Sequence, residues 1–157
     1  MKKTISLLSK VVLSLALMTS LPSHAEQWLN KFDLNQYKNK VVYLDFWASW
    51  CGPCRKSFPW INEIQEKYKD KGLVVIGVNL DTDLDQAKEF LKNVPANFRL
   101  FSDPDGKLAE KYKLIGMPSS FVLDGKGQVR HRHVGFKKSN IEDYEKSIVS
   151  LLKELKK

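Results

Sequence analysis

The sequence predicts an α/β fold with one mixed central β-sheet, helices on both faces, and an extra helix inserted after the first half of the sheet. Three observations carry this. Two nearly continuous apolar and β-branched runs, residues 41–47 and 73–78, bracket a segment with helical spacing. Further on, two strand-like segments flank the turn Asp124-Gly125-Lys126-Gly127. Between these halves lies a helical stretch, opened by acidic residues, that belongs to neither.

At the start of the chain, Lys2 and Lys3 precede an apolar run over residues 11–18. Ser23-His24-Ala25 then offers small residues at the −3 and −1 positions of a cleavage site after Ala25. That order is the order of a secretory signal peptide. The run falls well short of the roughly 20 residues of a spanning helix, and no cysteine stands directly after it to carry a lipid. The expectation is a cleaved signal over residues 1–25, a single domain over residues 26–157, a bacterial periplasmic location and no stable membrane insertion after cleavage. Losing Lys2, Lys3 and Lys10 lowers the formal charge from +8 to +5. So modest a surplus argues for a solvated surface or an acidic protein partner, and not for nucleic acid. The remaining length suits one domain with a real core.

The first run, Val41 to Trp47 in sequence, reads as a strand buried on both faces. Phe58, Ile61, Ile64 and Tyr68 then recur with helical spacing, with Pro59 expected to kink the helix. The second run closes a βαβ unit, which implies parallel strands. Asp81-x-Asp83-x-Asp85 begins like a calcium loop. Gln86 stands where that loop needs glycine, however, and Lys92 where it needs glutamate. The acidic residues read instead as caps of a helix from about residue 84 to residue 93. Residues 98–101 read as a short strand, Ser102-Asp103-Pro104-Asp105-Gly106 as a turn, and residues 108–112 as a short helix. Residues 120–123 and 128–134 form a hairpin about the glycine-rich turn, so these strands are antiparallel. Ser139 and Glu142 are spaced as a capping box. They open a last helix with the stripe Ile141, Tyr144, Ile148, Leu151, Leu152 and Leu155.

Cys51 and Cys54 are the chain's only cysteines. A zinc site, a structural staple and a redox centre are the candidate uses. Zinc needs four ligands. His131 and His133 share a strand face and could complete the set, but neither their spacing nor their separation from the cysteines is that of a zinc motif. A bridge between residues three apart closes a tiny loop and constrains the unfolded chain little. The redox reading has positive support. Cys51 falls just before a first helical turn, where unpaired amides and the helix dipole favour a thiolate. Cys54 lies one turn in and can resolve the mixed disulfide that Cys51 forms. Gly52 and Pro53 make the turn between them, and Pro53 has no amide to waste there.

The segment Asp45-Phe46-Trp47-Ala48-x-Trp50-Cys51-Gly52-Pro53-Cys54 resembles the active-site segment of thioredoxins almost residue for residue. Ile115-Gly116-Met117-Pro118-Ser119-Ser120-Phe121 resembles the segment that carries the family's cis-proline. The resemblance implies a cis Met117–Pro118 bond opposite the cysteines, with a loop that pairs with an extended client. With its export signal and the insert over residues 80–98, the chain resembles the TlpA/ResA/CcmG group of periplasmic thiol-disulfide oxidoreductases. Two departures stand out. Asp45 matches the buried aspartate of thioredoxins, but Gly77 occupies the place of its lysine neighbour. Desolvation should then raise the pKa of Asp45 unopposed and suit it to trade a proton with Cys54. An acidic residue that the group often carries near the cysteines has Glu89 as its candidate, with the surface face of the inserted helix as the alternative. Trp47 reads as core, Trp50 as an apolar rim for client proteins, and Trp60 as helix surface or core.

Catalysis is thus expected from Cys51, Cys54, Asp45 and Pro118, with client contacts from Trp50, Gly52, Pro53 and Met117, and with no metal and no cofactor. The resemblance implies a reductant that acts on oxidised exported proteins, apocytochromes c among them. It would form mixed disulfides with them and be recharged by a membrane electron donor of the DsbD/CcdA type. A disulfide oxidase or isomerase on the same fold, a peroxidase and a redox-inert binding module are the rival readings.

Overall fold

The structure, a computed structural model, describes residues 28–156. The expected signal over residues 1–25 lies outside the described residues. Five strands form one sheet: β1 (Val41–Trp47), β2 (Leu73–Asn79), β3 (Arg99–Ser102), β4 (Ser119–Leu123) and β5 (Val129–Val134). Their order is β3-β2-β1-β4-β5. β2 pairs in parallel with both β1 and β3, while β4 runs antiparallel to both β1 and β5. The sheet is therefore mixed, with its parallel half built by the βαβ unit and its antiparallel half by the hairpin. β1 lies at the centre and is buried at every position. That explains its unbroken apolar run, since neither of its faces meets water.

Among the described residues four α-helices complete the fold: α1 (Gly52–Tyr68), α2 (Leu84–Asn93), α3 (Lys107–Lys111) and α4 (Ile141–Glu154). Successive residues of a strand point to opposite faces. Tyr43 and Trp47 accordingly join Phe58, Ile61, Phe90 and Ile148 beneath α1, α2 and α4. Val42, Leu44 and Phe46 face the other way, toward Leu108 of α3 and Phe32 and Leu34 of the chain before β1. The inserted helix α2 thus lies on the α1 side. Before β1, Trp28 bridges Leu100, and the Leu29 amide donates to the Leu100 carbonyl at 2.6 Å. This stretch covers the outer edge of β3.

Several local expectations are sharpened or corrected. α1 runs through Pro59 as one helix. Trp60 belongs to the core, packed on Tyr43 and Tyr144. Asp83 caps α2 by accepting from the Asp85 amide at 2.9 Å, so only one of the three spaced aspartates does this work. β5 starts one residue later than expected, because the Gln128 amide is held by the Asp124 carboxylate at 3.0 Å. The capping box is not formed. A 3-10 turn, Lys138–Asn140, runs straight into α4, and Ser139 Oγ donates to Asn140 Oδ1 at 2.9 Å. A side-chain cap needs an extended residue at the helix start, and the turn leaves none.

Candidate active site

β1 ends at Trp47 and the chain turns sharply before entering α1. The Leu80 amide donates to the Trp47 carbonyl at 2.9 Å, extending the β1–β2 ladder by one bond. At the next step a side chain replaces the backbone. Asp81 accepts from the Ser49 amide at 2.9 Å, from Ser49 Oγ at 2.8 Å and from the Asn79 side-chain amide at 2.7 Å. The Cys51 amide closes the turn onto the Ala48 carbonyl at 3.1 Å.

This turn leaves Cys51 as the N-cap of α1, with extended backbone (φ −83°, ψ 100°). Its sulfur accepts from the Cys54 amide at 3.2 Å. That first-turn amide, at the positive end of the helix dipole, points at the atom that carries charge as a thiolate. Cys51 and Cys54 are joined in a disulfide, with Cα atoms 5.3 Å apart. The oxidised state is therefore the one described here. Cys51 keeps 4% exposure while Cys54 has none, so an incoming sulfur reaches Cys51 first. Gly52 and Pro53 are exposed beside them.

The Met117–Pro118 bond is cis. Phe46 pairs with Ser119, so Pro118 stands one step further along, at the end of β1 from which the cysteine turn departs. The Pro118 carbonyl accepts from the Gly135 amide at 2.8 Å, and Ser119 Oγ donates to the Gly116 carbonyl at 2.7 Å. Those bonds tie the loop to β5 on one side and to itself on the other. Trp50 and Ile115 are 67% and 78% exposed. They put large apolar surface on the cysteine turn and on the cis-proline loop.

Asp45 is buried at 2% exposure, and its Oδ2 has no hydrogen-bond partner among the described residues. Desolvation pushes its carboxyl well above the usual carboxylate range. Register puts Gly77 directly beside it. A Cβ there would stand 2.8 Å from a Phe98 ring carbon and 3.0 Å from Trp47 Nε1. Two aromatic rings thus occupy the space that a lysine side chain would need. Trp47 packs against Phe58 and Phe90 at 5.0 and 5.1 Å between centroids, as core. Glu89 lies on the exposed face of α2, paired with Lys92 at 2.5 Å. His131 and His133 share the α4 side of β5, where the His133 ring packs tilted against Tyr144, 4.9 Å between centroids. Among the described residues no group of three or more His, Cys, Asp or Glu side chains could hold a metal ion.

Sequence reasoning missed the Asp81–Ser49–Asn79 clamp. Its signal was present in the sequence: an acid two residues beyond the end of a buried strand, at the level where the neighbouring strand becomes the cysteine turn.

A Cys-x-x-Cys pair at the start of α1, a buried carboxyl in β1 and a cis-proline just before β4, all on this mixed sheet, define a thiol-disulfide oxidoreductase of the thioredoxin fold. The chain belongs to the Redoxin family, whose model matches residues 18–148. Within it, the chain is of the TlpA/ResA/CcmG-like kind. It is 36% identical over 119 residues to the thiol-disulfide oxidoreductase ResA of Bacillus thuringiensis subsp. konkukian, covering 75% of this chain and 69% of that one. Among solved structures, a putative thiol:disulfide interchange protein DsbE from Chlorobium tepidum superposes with a TM-score of 0.74 at 50% identity, covering 76% of this chain and 84% of that one. The pneumococcal exposed lipoprotein thioredoxin Etrx1, from Streptococcus pneumoniae strain TIGR4, gives 0.67 at 31% identity, covering 75% and 90%.

Proposed function

We propose that this oxidoreductase works outside the cytoplasm, in the periplasm, and runs in the reducing direction on oxidised exported proteins, apocytochromes c among them. The observation that carries the reading is the asymmetry of the sulfur pair. Cys51 takes the Cys54 amide at the amino end of α1, and Cys54 is sealed behind it. The reduced Cys51 attacks a client disulfide as a thiolate and one client sulfur leaves. Cys54 then gives its proton to Asp45, attacks Cys51 Sγ and releases the client as a thiol, and the Cys51–Cys54 bond re-forms. Pro118, Met117 and Trp50, with the exposed Gly52-Pro53 turn, provide the surface on which the client lies. A membrane electron donor of the DsbD/CcdA type reopens the disulfide. The lysine-led apolar start of the chain supports export. So does likeness to a pneumococcal protein described as an exposed lipoprotein. The Gly52-Pro53 pair supports the reducing direction, because the residues between the cysteines set the balance between dithiol and disulfide.

Cys54→Ala should trap a client as a mixed disulfide through Cys51, and Cys51→Ser should abolish insulin reduction. Isolating the adduct from periplasm names the client. Repeated failure to recover one would overturn the exchange mechanism. Equilibration with glutathione should place the reduction potential below about −200 mV, and a value near the roughly −120 mV of DsbA would reverse the direction.

A further inference from the structure

Three stretches of chain meet at the cysteine end of the sheet: the turn into α1, the cis-proline loop and the exit from β5. Arg55 stands one turn after Cys51, and its amide donates to the Cys51 carbonyl at 3.4 Å. The Gly135 amide joins the other two stretches through the Pro118 carbonyl. Residues 46–62, 112–123 and 131–141, which contain these stretches, include no aspartate and no glutamate apart from none within each range. Their cations are Arg55, Lys56, Lys113, Arg132, Lys137 and Lys138, all exposed. None of them takes part in a salt bridge among the described residues.

Both arginines are held in place without a carboxylate. The Arg55 guanidinium lies 4.6 Å from the centre of the Phe90 ring of α2. That of Arg132 lies 5.4 Å from the Phe121 ring centre, and its Nη2 donates to the Lys113 carbonyl at 2.7 Å. This bond ties β5 to the loop two residues before the exposed Ile115. A guanidinium already stacked on a ring loses less freedom on meeting a carboxylate, and its planar fork suits one. The acids at the same end of the sheet follow β2 and β3, and they are engaged. Asp81 and Asp103 are buried and accept from the Ser49 and Leu108 amides. Asp83 caps α2, Asp85 pairs with Lys88 at 2.7 Å, and Asp105 pairs with Lys107 at 2.9 Å. Charge is therefore answered on the β2–β3 side and left positive on the β4–β5 side. Apolar Ile115 and half-exposed Val134 lie within the positive part, where Val134 Cγ1 stands 3.4 Å from the position of a Gly116 Cβ.

We propose that these cations bind carboxylates flanking the cysteine that a client presents, so that the preferred substrate is an extended acidic peptide lying over the β4–β5 side of the sulfurs. The inference rests on the reading of Cys51 as the sulfur that exchanges with protein disulfides, and it adds a substrate class to that reading. Cations around a reactive atom speed its encounter with an anionic partner, and salt removes the gain. The patch surrounds a sulfur whose reaction needs a disulfide, which makes a polypeptide its occupant and not a lipid surface.

The test uses two peptides with the same internal disulfide, one flanked by glutamates and the other by lysines. The reduced protein is mixed with each, and the ratio of the two reduction rates is compared between wild type and two variants. Lys113→Glu/Lys137→Glu reverses charge in the patch. Lys40→Glu/Lys126→Glu reverses as much at the opposite end of the sheet, where the Asn39 amide donates to the Gly125 carbonyl at 2.9 Å. Comparing one ratio across proteins cancels the reactivity of the peptides and of Cys51. The patch variant should lower the glutamate-to-lysine ratio about tenfold at low salt, and the remote variant by less than about twofold. At about 1 M salt, where the Debye length is roughly 3 Å, the three ratios should converge. Equal shifts in the two variants would assign the preference to net charge alone, and no shift in either would leave the cations a solvated surface. Either result overturns the proposal and leaves the exchange reading standing. Retention on phosphatidylglycerol vesicles with an unshifted ratio would give the cations to a membrane and overturn it as well. Failure of the wild type to reduce either peptide would remove the exchange reading, and the proposal with it.

Discussion

Asp45 and Asp81 lie toward the same end of the same sheet and are equally hidden, at 2% and 1% exposure. Their surroundings are opposite. Asp81 receives donors from the Ser49 amide, the Ser49 hydroxyl and the Asn79 side chain. Asp45 keeps a bare oxygen next to a glycine and two aromatic rings. Burying a carboxyl costs free energy unless donors replace its water. Asp81 is compensated and holds the turn in shape. Asp45 Oδ2 has no such donor, and burial pushes its carboxyl well above the usual carboxylate range instead. Burial by itself says little about chemistry, and the count of partners says much more. Asp103 makes the same point, since it is buried and committed to the Leu108 and Ala109 amides at 2.9 Å, where it starts α3.

The comparison can be broken most directly at Asp81. Asp81→Ala strands one buried and two part-buried donors at once and should cost about 3 kcal/mol in urea unfolding. A loss below about 1 kcal/mol would mean that the clamp does little. Gly77→Ala should follow, at about 2 kcal/mol, because its Cβ would overlap the Phe98 ring. Unchanged stability would mean that the aromatic wall yields easily and that the space beside Asp45 is open. Asp45→Asn has the opposite sign. A folded-state pKa above the unfolded one means that the folded chain keeps a proton the unfolded chain has lost. Wild-type stability is thus fullest below the unfolded aspartate pKa, about 4, and falls as pH rises toward the folded value. Asn carries no such term. The variant should therefore gain on the wild type as pH climbs, by at most about 1.4 kcal/mol per pH unit. Parallel curves from thermal unfolding at stepped pH would show Asp45 to be an ordinary ionised acid.

Much of this was legible in the residues. The unbroken run of β1 announced a central strand, and the spacing of Phe58, Ile61 and Ile64 announced α1. The cysteine pair, the buried acid and the proline needed a resemblance to be placed together, since nothing local brings Pro118 to the end of β1. Register was illegible. Asp45 lies beside Ser120, and Ser120 beside His133, only because β4 and β5 pair in one particular alignment, and a slip of one residue would turn every one of those side chains to the other face. The capping box failed for a related reason. Ser139 and Glu142 have the right spacing, but the backbone before α4 is already coiled, and the spacing cannot report that.

The bridge from Trp28 to Leu100 has a consequence for the company this molecule keeps. It occupies one margin of the sheet with the chain's own backbone. The other margin, β5, carries Arg130 and Arg132, exposed charges that discourage a stranger's strand from stacking on. A protein so guarded can display Trp50 and Ile115 to passing chains without inviting endless end-on growth.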